Sequence, residues 1–135
     1  MTKRIISLIL VVFLLFTGSF AVSATVADGT IQPRFKYTSS ATVNLSVSNN
    51  VAYCTAQLIG NTNVDKIRIT ITLERRGVLF WNEVDTWTAT YYDDDAIMSK
   101  TCSVNSGKYR LNADFTVYCG SDTEDISVTS PVKEY

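Results

Sequence analysis

"SGKYRLNADFTVYCG", residues 106–120, decides the fold. Ser106 and Gly107 turn the chain. Tyr109, Leu111, Ala113, Phe115 and Val117 then alternate with Arg110, Asn112, Asp114 and Thr116. A period of two marks a strand with one face buried, because successive side chains of an extended chain point to opposite sides. The same period runs outward from here. In "KIRITITLER" (66–75), Ile67, Ile69, Ile71 and Leu73 face one way and Arg68, Thr70, Thr72 and Glu74 the other. Their branched side chains are stiff and suit a pleated surface. In "ATVNLSVS" (41–48), Val43, Leu45 and Val47 share a face, and in "VAYCTAQLIG" (51–60) so do Ala52, Cys54, Ala56 and Leu58. Met98, Cys102 and Val104 line up in "AIMSKTCSV" (96–104). Arg34–Thr38 reads as a short first strand, and "DISVTS" (125–130) as a closing one that Pro131 ends. "SNN", "GNTNVD", "DDD" (93–95) and "NSG" supply turns.

Between residues 81 and 92 the period slips. Trp81, Val84 and Trp87 are spaced by threes, yet "TWTATYY" (86–92) is rich in threonine and aromatics. A bulged strand accommodates both facts, since one extra residue flips the facing of everything beyond it. Trp81 is expected to fill the core. No segment has a helical period. Seven to eight short antiparallel strands over residues 34–135 predict an all-β sandwich, with a small barrel as the alternative. Tyr109, just after a turn and at the head of the longest strand, resembles the tyrosine corner of immunoglobulin-like sandwiches. There a tyrosine hydroxyl bonds back to the turn. Leu111 stands where antibody domains carry their second cysteine, so the resemblance is to immunoglobulin-like architecture alone. Leu45, Ala56, Ile67, Ile69, Ile71, Leu73, Leu111, Phe115 and Val117 are the expected core.

The first 24 residues read as a signal peptide. Lys3 and Arg4 precede an apolar run, Ile5–Phe16, broken only by Ser7. Val22 and Ala24 fit cleavage after Ala24; Ser23 and Ala27 are competing sites. The run falls short of the roughly 20 residues a bilayer span needs, which favours removal over a retained anchor. Residues 25–33 form a flexible lead-in. No second long apolar segment follows, so no membrane span is expected after signal removal.

The chain of 135 residues carries 12 basic and 13 acidic side chains. Loss of Lys3 and Arg4 with the signal leaves 10 basic against 13 acidic, mixed along the chain. That order gives no electrostatic footprint for nucleic acid or anionic lipid. The chain has no histidine, which removes the Ser-His-Asp and Cys-His nucleophile pairs and histidine zinc sites. Its 3 cysteines lack the close spacing of a zinc site, and no cofactor is expected. Asp93, Asp94 and Asp95, like Asp122, Glu124 and Asp125, offer oxygens, but consecutive aspartates diverge and read as solvated turns rather than calcium loops. Trp87, Tyr91 and Tyr92 are the candidate ligand-contact aromatics, able to stack on a glycan or anchor a protein partner.

"IQPR", a cysteine strand, "KIRITITL", the "W…V…W" segment and "GKYRL…FTVY", in that order behind a signal peptide, resemble a family of small secreted β-sandwich proteins of Gram-positive bacteria, a domain of unknown function. The resemblance implies export and a sandwich and carries over no site residue. In an immunoglobulin-like sandwich the second and fifth strands pair. That brings Cys102 beside Cys54 and predicts a Cys54–Cys102 disulfide with Cys119 free or available to a partner, the alternative being three reduced thiols that act as small apolar fillers. The expected role is a secreted, extracellular, non-catalytic binding or adhesion module. A structural envelope protein is the alternative. A hydrolase using paired carboxylates is the least favoured reading; it requires two carboxylates about 5–9 Å apart in a cleft.

Overall fold

The structure, a computed structural model, describes residues 30–31 and 35–135. The expected signal peptide (1–24), its cleavage site and most of the 25–33 lead-in lie outside the described residues. Nine strand segments follow in order: β1 (Thr30–Ile31), β2 (Thr38–Ser48), β3 (Val51–Gly60), β4 (Lys66–Arg76), β5 (Trp81–Tyr91), β6 (Asp95–Ser103), β7 (Lys108–Cys119), β8 (Asp122–Thr129) and β9 (Lys133–Glu134). One sheet has the order β1-β2-β3-β6. The other runs β5-β4-β7-β8, with β9 also against β7. Every pairing is antiparallel, and there is no helix among the described residues.

The alternating residues meet between the sheets. All nine expected core residues are buried, and Ala52, Cys54, Leu58, Met98, Tyr109, Ile126 and Val128 join them. Every buried hydrophobic residue among those described lies between Ala41 and Val128. Each fully buried Leu, Ile or Phe contributes about 1.5–3 kcal/mol from removal of apolar surface from water. Turn chemistry sets the connections. Asn49 and Asn50 both have positive φ, 52° and 59°, which matches the twist a two-residue hairpin needs. The Tyr109 hydroxyl donates to the Asn105 carbonyl at 2.6 Å, forming the expected corner. The second and fifth strands of the run β2–β8, namely β3 and β6, pair as expected.

Two expectations are corrected. Residues 35–37 bend rather than extend, and the strand begins at Thr38. The Lys36 and Tyr37 amides donate to the Glu124 carboxylate, at 2.8 and 3.3 Å, instead of to a neighbouring strand. Trp81 is not in the core. The register passes from Leu73↔Asp85 to Glu74↔Glu83, which makes Val84 the extra residue of a bulge. Trp87, beyond the bulge, packs on the core. Trp81, before it, pairs with Arg76 and stacks under the Arg110 guanidinium at 4.3 Å. One extra residue thus sends the two tryptophans to opposite faces.

Candidate functional site

The sandwich has two chemically different ends. At one, the β2–β3 turn, the β4–β5 hairpin, the β6–β7 loop and the C-terminus converge. The Val104 amide donates to the Asn50 carbonyl at 2.9 Å, and Gly107 and Tyr135 exchange two backbone bonds at 2.8 and 2.9 Å. Arg75 Nη2 donates to the Ser106 carbonyl at 2.6 Å, and the Tyr135 hydroxyl accepts from the Asn50 amide at 2.8 Å. The loop beside the hairpin is therefore fixed from several sides.

The hairpin itself carries Gly77-Val78-Leu79-Phe80. Gly77 N–H donates to the Phe80 carbonyl at 2.8 Å. A β-carbon at Gly77 would stand 2.6 Å from Asn82 Nδ2 and 3.0 Å from the Phe80 carbonyl oxygen, so a side chain here would require Asn82 to swing away and the turn to give slightly. At the apex Val78, Leu79 and Phe80 are 101%, 82% and 75% exposed. Single exposed apolar side chains are ordinary on a protein surface, but three in succession on a raised turn are not. Directly below, Arg110 spans from the Trp81 ring to Glu74, with Nε 3.0 Å from the carboxylate. Asn112 donates to the same Glu74 oxygen. Arg75 and Arg76 precede the tip, and Tyr109↔Lys133 and Lys108↔Glu134 pair beside it. Five basic side chains, Arg75, Arg76, Lys108, Arg110 and Lys133, thus come from three separate strands, β4, β7 and β9. Glu74, Glu83 and Glu134 lie among them, and Glu74 is held by Arg110.

The other end is acidic. Asp65, Asp93, Asp94, Asp95, Asp122, Glu124 and Asp125 sit there against Lys36, Lys66 and Arg68. The Tyr37 hydroxyl donates to Asp122 at 2.6 Å. That bond, helped by the Thr123 amide, holds the Asp122 carboxyl below its usual range. Asp93 and Asp94 hydrogen-bond one another, which lowers the first and raises the second. Among the described residues no three His, Cys, Asp or Glu side chains gather as metal ligands would.

The aromatics expected to contact a ligand do not share a surface. Trp87 and Tyr91 are half-buried against the core, while Tyr92 stands 82% exposed at the acidic end. A shallow depression of about 440 Å³ lies over β3 and β6, lined by Tyr53, Cys54, Thr55, Ser99, Lys100 and Thr101. Its lining has no carboxylate, so it lacks the acid–base pair that a histidine-free hydrolase requires.

Cys54, Cys102 and Cys119 are free thiols in this structure. Cys102 lies opposite Ala52 and Cys54 opposite Lys100, so the two cysteines are diagonal neighbours. Such diagonals are about 7–8 Å apart, beyond the roughly 4.4–6.8 Å between α-carbons that a bridge takes. Burial, then the nearby Cys102 and Asp85, pushes the Cys54 thiol up to about 12. Burial and Asp85 also raise Cys102. Both sulfurs are protonated at neutral pH, and Cys54 behaves as a small core side chain.

On the outer face of β4, β5, β7 and β8 the side chains satisfy one another. Thr70 and Thr88 meet at 2.9 Å, and Thr72 and Thr86 at 3.1 Å. Thr116 donates to Asp125 at 2.9 Å and Thr129 to Asn112 at 2.8 Å. Over much of its area this face is a polar ladder, with Trp81 under Arg110 and the bulged Val84 as apolar side chains at its hairpin end.

The apolar tip escaped the sequence reading, although "RRGVLFW" (75–81) carried a signal for it. A glycine turn was followed at once by four apolar residues where turns are normally polar. No family model and no curated protein matches the chain. Among solved structures, the solution structure of R. palustris CsgH is similar to it at a TM-score of 0.41 and 12% identity, over 65% of this chain and 88% of its own. The resemblance to small secreted Gram-positive proteins accordingly stands on the sequence motifs alone.

Proposed function

We propose that this chain is an exported, non-catalytic binding module that engages its partner with the hairpin end of the sandwich. The observation that carries the reading is the apex Val78-Leu79-Phe80. These are three consecutive large apolar side chains, each at least 75% exposed, on a hairpin closed by the Gly77–Phe80 bond. Keeping them in water is unfavourable, and a rigid mount lets them be covered without ordering a loop first. The polar ladder on the outer face of β4, β5, β7 and β8 supports the same choice, because its threonines, Asn112, Asp114 and Asp125 largely bond one another. The lack of histidine supports a role without acid–base chemistry.

The test is retention on a cell-envelope preparation. Protein beginning at Thr25 is compared with the Val78→Ser, Leu79→Ser, Phe80→Ser triple variant. Retention is expected for the first and loss for the second. Equal retention of both would leave the sandwich a purely structural envelope component.

A further inference from the structure

We infer that the partner met by the hairpin end is an anionic lipid surface. The inference rests on the binding-module reading and names its occupant. Three features of that end combine. The apex is convex and apolar, with Val78, Leu79 and Phe80 standing clear of the sandwich. An interfacial insertion reaches only about 5–10 Å, to the boundary between headgroups and chains, and one hairpin turn spans that depth. Trp81 lies immediately below the apex with Arg110 over its ring at 4.3 Å. Its amphipathic ring is of the kind that settles at the headgroup level. Around it stand Arg75, Arg76, Lys108 and Lys133, able to meet lipid phosphates.

Charge complementarity singles out the anionic surface. Read along the chain, both signs are interspersed, as acidic runs over 83–95 and 114–125 and a basic one over 100–110. Folded, they separate: five cations with Glu74, Glu83 and Glu134 at the hairpin end, and seven carboxylates with Lys36, Lys66 and Arg68 at the other. Glu74 already belongs to Arg110. A negative surface attracts the first end and repels the second, so it orients the long axis with the apex leading.

A second copy of the chain fits less well. Tip-to-tip contact would set Arg76 and Arg110 against their own copies and cover only three side chains a side. Those side chains alone fall short of the roughly 1,000 Å² of total area a specific interface needs. Tip-into-pocket contact needs an apolar recess, but the depression over β3 and β6 is shallow and sets Thr55, Ser99, Lys100 and Thr101 beside Tyr53 and Cys54.

The experiment is co-sedimentation with vesicles, read together with tryptophan emission in a Trp87→Phe background, where Trp81 is the remaining tryptophan. Protein beginning at Thr25, which holds every strand of both sheets, is mixed with vesicles of phosphatidylglycerol and phosphatidylcholine in equal parts, and with vesicles of phosphatidylcholine alone. Binding to the mixed vesicles with a blue shift in emission is expected, and weaker binding to the neutral ones. The Val78→Ser, Leu79→Ser, Phe80→Ser variant, whose altered side chains touch no core residue, should bind about tenfold more weakly or worse. Arg76→Glu with Lys108→Glu should abolish the preference for phosphatidylglycerol, as should raised salt. Absence of binding to the mixed vesicles, or equal binding by the triple variant, overturns the inference. If vesicles are ignored while envelope retention still depends on the tip, the lipid inference falls and the binding-module reading survives, with a protein then the occupant to be found by cross-linking from position 79. If neither assay depends on the tip, both fall.

Discussion

Tyr109→Phe removes one oxygen from a buried residue. Tyr109 is 2% exposed, and its hydroxyl donates to the Asn105 carbonyl at 2.6 Å. The ring remains, so no cavity opens and the large cost of core truncation does not arise. What is lost is one neutral hydrogen bond, worth about 0.5–1.5 kcal/mol net. Asn105 is exposed, so water can replace the lost donor and the carbonyl is not stranded. The loop also keeps its Arg75–Ser106 bond and both Gly107–Tyr135 bonds, which limits any spread of the damage. The expected loss is therefore about 1 kcal/mol, or roughly 4–8 °C in Tm for a domain near 100 residues. Urea unfolding followed by tryptophan fluorescence is the assay. The midpoint should fall with the slope unchanged, since the surface exposed on unfolding is the same. No loss at all would mean that the corner is decorative. A loss above about 3 kcal/mol would mean that the hydroxyl anchors more than the turn.

Phe115→Ala, beside Ile69 and Ile126 in the register, should cost about 3–5 kcal/mol in the same assay, and Ile69→Ala about 2–5 kcal/mol; values near zero would place these residues outside the core. In protein collected under oxidising conditions, non-reducing peptide mapping is expected to link Cys54 to Cys102 after a small shift of β6 against β3, leaving Cys119 free; a bond through Cys119 within one chain refutes that pairing. In the reduced protein a thiol reagent should reach Cys102 before Cys54, because Cys54 is buried and its thiol is pushed up to about 12; equal rates would contradict the burial. N-terminal sequencing of exported material should begin at Thr25, and a start at Met1 would dismiss the signal peptide.

The strands were legible because burial here follows the period of the backbone. Ile67, Ile69, Ile71 and Leu73 are each 0% exposed while Arg68 and Thr70 between them are not buried. Alternation is a local property, and the sheet only confirms it. The bulge was legible as a slip in that period, but its consequence was not. Whether Trp81 or Trp87 turns inward depends on where the extra residue sits, and the register puts it at Val84. Residues 35–37 failed for another reason. Their amides are taken by Glu124, 88 positions from Lys36, and no local pattern foretells a capture at that range.

The candidate site belongs to the second kind. Its basic side chains come from β4, β7 and β9 and become neighbours only through the pairings Glu74↔Arg110, Arg75↔Tyr109 and Tyr109↔Lys133. In the linear order Arg75 and Arg76 sit beside Glu74, Lys108 and Arg110 stand some thirty residues on, and Lys133 sits beside Glu134, so the basic residues are scattered over three stretches and their gathering at one end is hidden. Antiparallel strands reverse direction at every turn, which returns alternate loops to the same end. A chain whose odd and even loops differ in charge therefore folds into a molecule with two unlike poles. The loops at residues 77–80 and 104–107 and the C-terminal segment share one pole; those at 61–65, 92–94 and 120–121 share the other. The apolar apex sits on the basic pole, and that coincidence makes the tip more than a stray patch. An unselected patch would be as well placed beside Asp93, Asp94 and Asp95, where no anionic surface would tolerate it.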